Sequence, residues 1–293
     1  MISKEIRKKV KKIQLKVNKL INEVMTGHYV SAFKGVGIEF DEVREYLPGD
    51  DVRFIDWNVT ARTGTPFIKR YVEERELTVM LMVDLSASQR FGTMNYLKSD
   101  LAAEVSALLA FLAIKNNDKV GLLIFSDSLE KYVPPKKGRC HVLRVIREIL
   151  GYRPAGTATD ITEALKFVNR VLKHRSIVFL ISDFLNSDFE KILKNTARHH
   201  DVVAINIEDL REYELPSLGL IEFQDMETGE KVLVDTSLEN IREMVRKNAL
   251  SHKTNLVKIF KASKVDHINI STRESYLDPL QKFFRQREKR FGR

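Results

Sequence analysis

The stretch VMLMVDLSAS, residues 79–88, decides how this chain is read. Its first five residues, Val79 to Val83, are apolar without interruption, as a strand buried on both faces of a parallel sheet requires. The run then ends in three oxygen-bearing side chains at alternate positions, Asp84, Ser86 and Ser88. A chain leaving a strand in extended form turns alternate side chains to one side, so the three are expected to aim at one place. Asp and Ser after a strand also make turns and helix caps, and the stretch alone does not separate these uses.

Working outward, apolar runs alternate with amphipathic segments. The pattern predicts strands over 77–84, 119–126, 176–182, 201–207 and 266–271, and helices over 98–116, 140–151, 160–173, 188–199, 237–264 and 276–291. Strand followed by helix, repeated, implies an α/β fold with a mainly parallel sheet between helices on both faces, occupying residues 76–275. A hairpin insertion over about 215–236, turning at Glu227-Thr228-Gly229, breaks the alternation. Residues 1–25 carry Ile6, Val10, Ile13, Val17, Leu20, Ile21 and Val24 at helical spacing among lysines. Such a basic amphipathic helix packs back on its own body, joins a partner in a coiled coil, or lies on a membrane surface. Residues 26–75 read as a strand-and-turn arm. In it Arg44, Arg53 and Arg62 are expected to pair with Asp50, Asp56 or Glu73 and lock the arm to the main domain, or else to form a docking surface.

Composition excludes several classes. A single cysteine, Cys140, leaves no disulfide framework and no cysteine metal site. The amino terminus is charged from Lys4 and does not read as a signal sequence, and the densest apolar run, Val105 to Ile114, is too short to cross a bilayer. A cytoplasmic protein is expected. The net charge of +9 sits at the two ends, 1–25 and 280–293, and leaves the body slightly acidic. This favours solvated basic ends, with peripheral membrane contact as an option, over a nucleic-acid face. No GxxxxGK[ST] occurs, Gly35-x-Gly37 lacks the rest of a dinucleotide fingerprint, and His199-His200 reads as a helix C-terminal cap.

The run IVFLIS ends in Asp183 just as VMLMV ends in Asp84. If the two strands are neighbours, two carboxylates meet at the carboxyl rim, where open parallel sheets bind ligands. They repel unless a divalent cation lies between them. Hydroxyls and carboxylates are hard donors that suit Mg2+, with Mn2+ or Ca2+ as substitutes. A further hydroxyl is expected from GTATDITEAL, from Thr159 at the mouth of the following helix, with Thr157 as the alternative.

DLSAS, GTATDI and LISDF together resemble the metal-ion-dependent adhesion site of von Willebrand factor A-type domains. That resemblance implies that Asp84, Ser86, Ser88, Thr159 and Asp183 hold Mg2+ directly or through water, while a partner's carboxylate fills the open position. The upstream segment from Gly27 to Glu76 is similar to the signature of the bacterial family called domain of unknown function fifty-eight. That resemblance implies an adaptor working with a MoxR-type AAA+ ATPase in chaperone-like assembly or maturation. Gln89 and the GTATDI spelling depart from the commoner pattern. An enzyme is not expected, because position 86 is serine where a haloacid-type phosphatase needs a second aspartate. The competing reading is a Mg2+-dependent phosphoesterase on the same rim.

Overall fold

The computed structural model describes residues 4–20, 29, 32–33, 38–73, 76–93, 97–186, 188–227 and 229–291. The chain begins with α1 (Lys4–Leu20) and an arm of β1 (Ile38–Glu45), α2 (Trp57–Thr63) and β2 (Phe67–Glu73). The body then runs β3 (Thr78–Asp84), α3 (Lys98–Lys115), β4 (Lys119–Phe125), β5 (Leu129–Lys136), α4 (Arg139–Gly151), α5 (Ile161–Val171), β6 (Ile177–Ser182), α6 (Glu190–His199) and β7 (Asp201–Glu208). The hairpin β8 (Leu220–Gln224) and β9 (Lys231–Asp235) follows, then α7 (Glu239–Ala262), β10 (Asp266–Ser271) and α8 (Leu277–Phe291).

The body strands form one sheet in the spatial order β10-β7-β6-β3-β4-β5, parallel except for β5. Both faces are covered, and β3 shows why its sequence has no polar position. Val79, Leu81 and Val83 enter a core shared with α1, α3, α4 and α8, while Met80 and Met82 enter a second core under α5, α6 and α7. Helix α3 is buried almost all round, which accounts for the apolar run from Val105 to Ile114. Among the described residues no helix is long and apolar enough to cross a membrane. The sheet order puts β3 beside β6, with Val83 opposite Ile181, so Asp84 and Asp183 leave the sheet side by side.

Two elements escaped the sequence reading. β5, LEKYVPPK, carries charges and a Pro-Pro pair and so does not look like a strand. It is the antiparallel edge, where a missing N–H costs least, and its register with β4 shifts near the prolines. Helix α2 is poor in helix formers, but its ends are well capped. Asp56 accepts from Asn58 N and Val59 N, and Gly64 closes the helix at φ 77°.

The basic ends are not solvated appendages. Ile13 and Val17 of α1 lie in the core, and Lys9 and Lys16 pair with Asp100 and Glu104 of α3 at 2.9 and 2.5 Å. Of the predicted stripe, Ile21 and Val24 lie outside the described residues, as do Gly35-x-Gly37 and Thr228 of the hairpin turn. In α8, Leu280, Phe283 and Phe284 are buried, and the buried Arg287 pairs with Asp201 and Asp266. Of the arm's expected ion pairs, Arg44 with Asp50 forms and, among the described residues, the others do not. Arg44 grips Asp50 with two bonds of 2.9 and 2.8 Å, Arg53 takes its neighbour Asp51, Asp56 meets Lys69 at 3.4 Å, and Arg62 stands exposed. All of these lie within the arm, because residues close in a tight turn reach each other before they reach the body. What ties this segment to the core is Tyr29, Ala32 and Phe33, which pack against Phe179 and Phe284.

Candidate metal centre

Strand β3 delivers Asp84 to a fully buried position. Its Oδ1 accepts from Ser86 N at 2.9 Å, and its Oδ2 accepts from the hydroxyl of Ser182, the last residue of β6, at 2.6 Å. The loop beyond is not extended as the sequence suggested, because Ala87–Arg90 coils into a turn of 3-10 helix. Ser86 and Ser88 still face the same way, buried, with their hydroxyls 3.0 Å apart. Ala87 N donates to Thr157 O at 2.9 Å, which joins this loop to the threonine loop.

That second loop is held from below. Glu130 of β5 accepts from Ala155 N and Gly156 N, both at 3.0 Å, and from Ser126 Oγ at 2.7 Å. A side chain at 156 would not fit, since its Cβ would lie 1.9 Å from Asp127 Oδ1 and 2.6 Å from Ser126 Oγ. Gly156→Ala is therefore expected to displace the loop and weaken Mg2+ binding about tenfold or more, read by calorimetric titration. Unchanged affinity would show that the loop takes no part in the site. Asp160 caps α5 by accepting from Glu163 N, so Thr159 stands just ahead of the helix. Thr159 is buried and donates its hydroxyl to Glu227 Oε1 at 3.1 Å, whereas Thr157 is exposed and bonds the Glu227 backbone carbonyl.

The electrostatics explain what this group lacks. Burial, and then the neighbouring charge of Asp183, push the Asp84 carboxyl up to about 7, against the opposing bonds from Ser182 and Ser86. Asp183 is only 5% exposed; its Oδ2 takes a 2.7 Å bond from Lys98 Nζ, while Oδ1 has no partner. Lys98 has no exposed surface at all and also reaches Glu212 at 2.5 Å. Burial lowers its pKa, but Asp183 and Glu212 outweigh that and leave it raised. Glu227 is held up by burial and then by Asp183, Asp225 and Asp127. The Lys98 ammonium thus serves Asp183 and Glu212 and makes no bond to Asp84 or Glu227 among the described contacts. Phe184, directly after Asp183, has φ 53°, a left-handed conformation that costs a bulky residue about 1–2 kcal/mol and is typical of functional sites.

These residues fit a hard divalent cation. The excess of negative charge, the bare Asp183 Oδ1 and the facing serine hydroxyls all match its donor preferences. Among the described residues no cluster of three or more His, Cys, Asp or Glu is placed to hold a metal, so hydroxyls would have to complete the donor set. Of the five predicted residues, Asp84, Ser86 and Ser88 are linked to one another and Asp183 lies beside Asp84, while Thr159 reaches the same rim through Glu227. Four others were missed. Ser182 and Glu130 carry no signal of their own. Lys98 does carry one, since a lysine in the first turn of a helix opposes the macrodipole. Glu227 was read only as part of a turn. His200 is the C-cap of α6, and His199 bonds Asn195 O, so neither joins a site.

Residues 42–255 match the family described as protein of unknown function DUF58. An uncharacterized protein of Mycobacterium tuberculosis is 32% identical over 281 residues, covering 94% of this chain and 88% of its own length. One of Mycobacterium avium is 26% identical, covering 54% of this chain and 94% of its own. Among solved structures, an aerotolerance-related membrane protein of Bacteroides fragilis superposes with a TM-score of 0.51 at 16% identity. The match covers 73% of this chain and 99% of that one and is a likeness of fold alone.

Proposed function

We propose a function from the premise that this chain belongs to the DUF58 family of proteins of unknown function: it is a protein-binding adaptor that captures its partner through a divalent cation at the carboxyl rim of its sheet. The observation that supports this is the meeting of two buried aspartates from adjacent strands, one with an oxygen left bare, beside three hydroxyls from two loops. When bound, Mg2+ would supply a Lewis-acidic point that accepts an outside carboxylate. Asp84, Ser86, Ser88, Thr159 and Asp183 would hold it. Ser86, Ser88 and Thr159 are neutral donors, so they leave much of the ion's charge for a further anionic ligand. Lys98 keeps Asp183 oriented from behind, and Ser182 does the same for Asp84. The partner proposed is the MoxR-type AAA+ ATPase that the family resemblance implies, engaged through an Asp or Glu side chain.

The test is capture of a purified, co-encoded ATPase of that type in Mg2+ and in EDTA. Wild type is expected to retain it at least tenfold better in Mg2+, and Asp84→Ala is expected to lose that gain. Equal capture in EDTA would overturn the adhesion mechanism. Phosphoester turnover in Mg2+ that disappears with Asp84→Ala would replace it with the phosphoesterase reading.

A further inference from the structure

A carboxylate of this chain already reaches the rim. The β8–β9 hairpin reaches the rim with its tip, where Glu227 Oε1 accepts from the Thr159 hydroxyl at 3.1 Å and its backbone carbonyl accepts from Thr157 at 3.1 Å. Close by lies the buried Asp183, whose Oδ1 has no protein partner. Glu227 lies within reach of the Asp183 charge, and like charges repel; the bond from Thr159 opposes that repulsion without cancelling it. A cation shared among them reverses that balance.

The hairpin is anchored at its base and touches the rim at its tip. Its base is fixed, with Thr236 N and its hydroxyl both donating to Gly219 O at 2.8 Å and Arg242 holding the Thr236 and Ser237 carbonyls at 2.7 Å. Between base and tip its apolar side chains do not enter either core, and Leu220, Phe223, Val232 and Leu233 stand exposed. Gly219, at φ 78°, sits where the hairpin leaves the body. The tip contact is thus a separable latch on a strand pair that packs chiefly with itself.

We infer that, once the ion is bound, Glu227 closes on it as a further ligand supplied in cis by the hairpin tip, a third carboxylate that the metal-free arrangement of the described residues does not yet hold in place, and that the hairpin is the element an incoming carboxylate displaces. The inference rests on the reading of the rim as a cation site. It makes the adaptor self-capped: with the ion bound and no partner, the hairpin is closed. A partner must outbid an intramolecular carboxylate, so only one that adds contacts beyond a lone acidic side chain opens it.

The full-length protein is titrated with Mn2+ alone as wild type, Glu227→Gln and Asp84→Asn. Hydrogen exchange of residues 220–235 is followed with and without the ion. Glu227→Gln keeps the shape and the threonine bond of an exposed tip, so folding is not at issue. The expected result is Mn2+ affinity about tenfold weaker in Glu227→Gln, as loss of one charged ligand implies. Mn2+ is also expected to slow hairpin exchange severalfold in wild type and not in the variant. Unchanged affinity in Glu227→Gln, or wild-type hairpin exchange that ignores Mn2+, overturns the proposal while the site stands. Absence of Mn2+ binding by wild type instead removes the cation site itself, and the cis ligand with it.

Discussion

Asp84→Asn is expected to raise the melting temperature of the metal-free protein while abolishing its affinity for Mg2+. Most substitutions of a fully buried, doubly hydrogen-bonded residue do the opposite. Here the carboxylate carries a cost of its own, because burial and Asp183 disfavour its charge and hold its pKa up to about 7. A carboxyl whose folded pKa lies above its unfolded value binds its proton more tightly when folded. Stability therefore falls as pH rises from about 4 to about 7, and above that range the full cost is present. A shift of this size corresponds to roughly 2–4 kcal/mol. Asparagine removes the charge; its carbonyl still accepts from Ser86 N, and its amide donates to the Ser182 oxygen, reversing the direction of that bond. The expected gain is on the order of 5–10 °C at pH 8, vanishing near pH 4. Scanning calorimetry across that range, with EDTA, checks the sign. In Mg2+ the order is expected to invert, because the proposed ion would stabilise wild type and would lose the Asp84 charge in the variant. A melting temperature lowered equally at all pH values would show that Asp84 is a structural residue with no electrostatic penalty.

Lys98→Met is the second large effect, and it runs the other way. The ammonium is wholly buried and serves Asp183 and Glu212 at once. Cutting one partner from a buried ion pair leaves uncompensated charge and costs about 3–5 kcal/mol. Urea denaturation in EDTA is expected to show that loss. Asp183→Asn in the same background is expected to recover part of it, because the charge left bare is the one removed. Mg2+ is expected to stabilise Lys98→Met more than wild type, since the ion becomes the nearest positive charge to Asp183. Strictly additive losses in the double variant would contradict the coupling between this lysine and the rim.

Much of this was legible in the chain because the fold writes its burial into the sequence. Strands sandwiched between two layers have no polar face, so VMLMVD, VGLLIF, IVFLIS and VVAINI announce themselves, and the residue where each run stops marks the rim. Asp84 and Asp183 were found that way, as were the serines. Thr159 needed the helix that follows it, whose cap at Asp160 fixes where the loop ends. What was hidden depends on contacts between distant segments. Glu227 lies 68 residues from Thr159, on a hairpin whose own pattern says only that it turns. Lys98 meets its partners 85 and 114 residues away. The edge strand β5 violates strand composition because an edge tolerates proline. The basic ends misled for a related reason: their lysines cover a surface while Ile13, Val17 and Phe284 beneath them are core.

The central claim is that one divalent cation sits among Asp84, Ser86, Ser88, Thr159 and Asp183. The most direct measurement is anomalous diffraction at the manganese edge from crystals of the full chain grown in Mn2+. The account predicts a single strong peak at the carboxyl rim of β3 and β6, within about 2.0–2.3 Å of at least one of these carboxylates or hydroxyls. No peak there, in crystals that hold Mn2+ in solution at millimolar concentration, would contradict it.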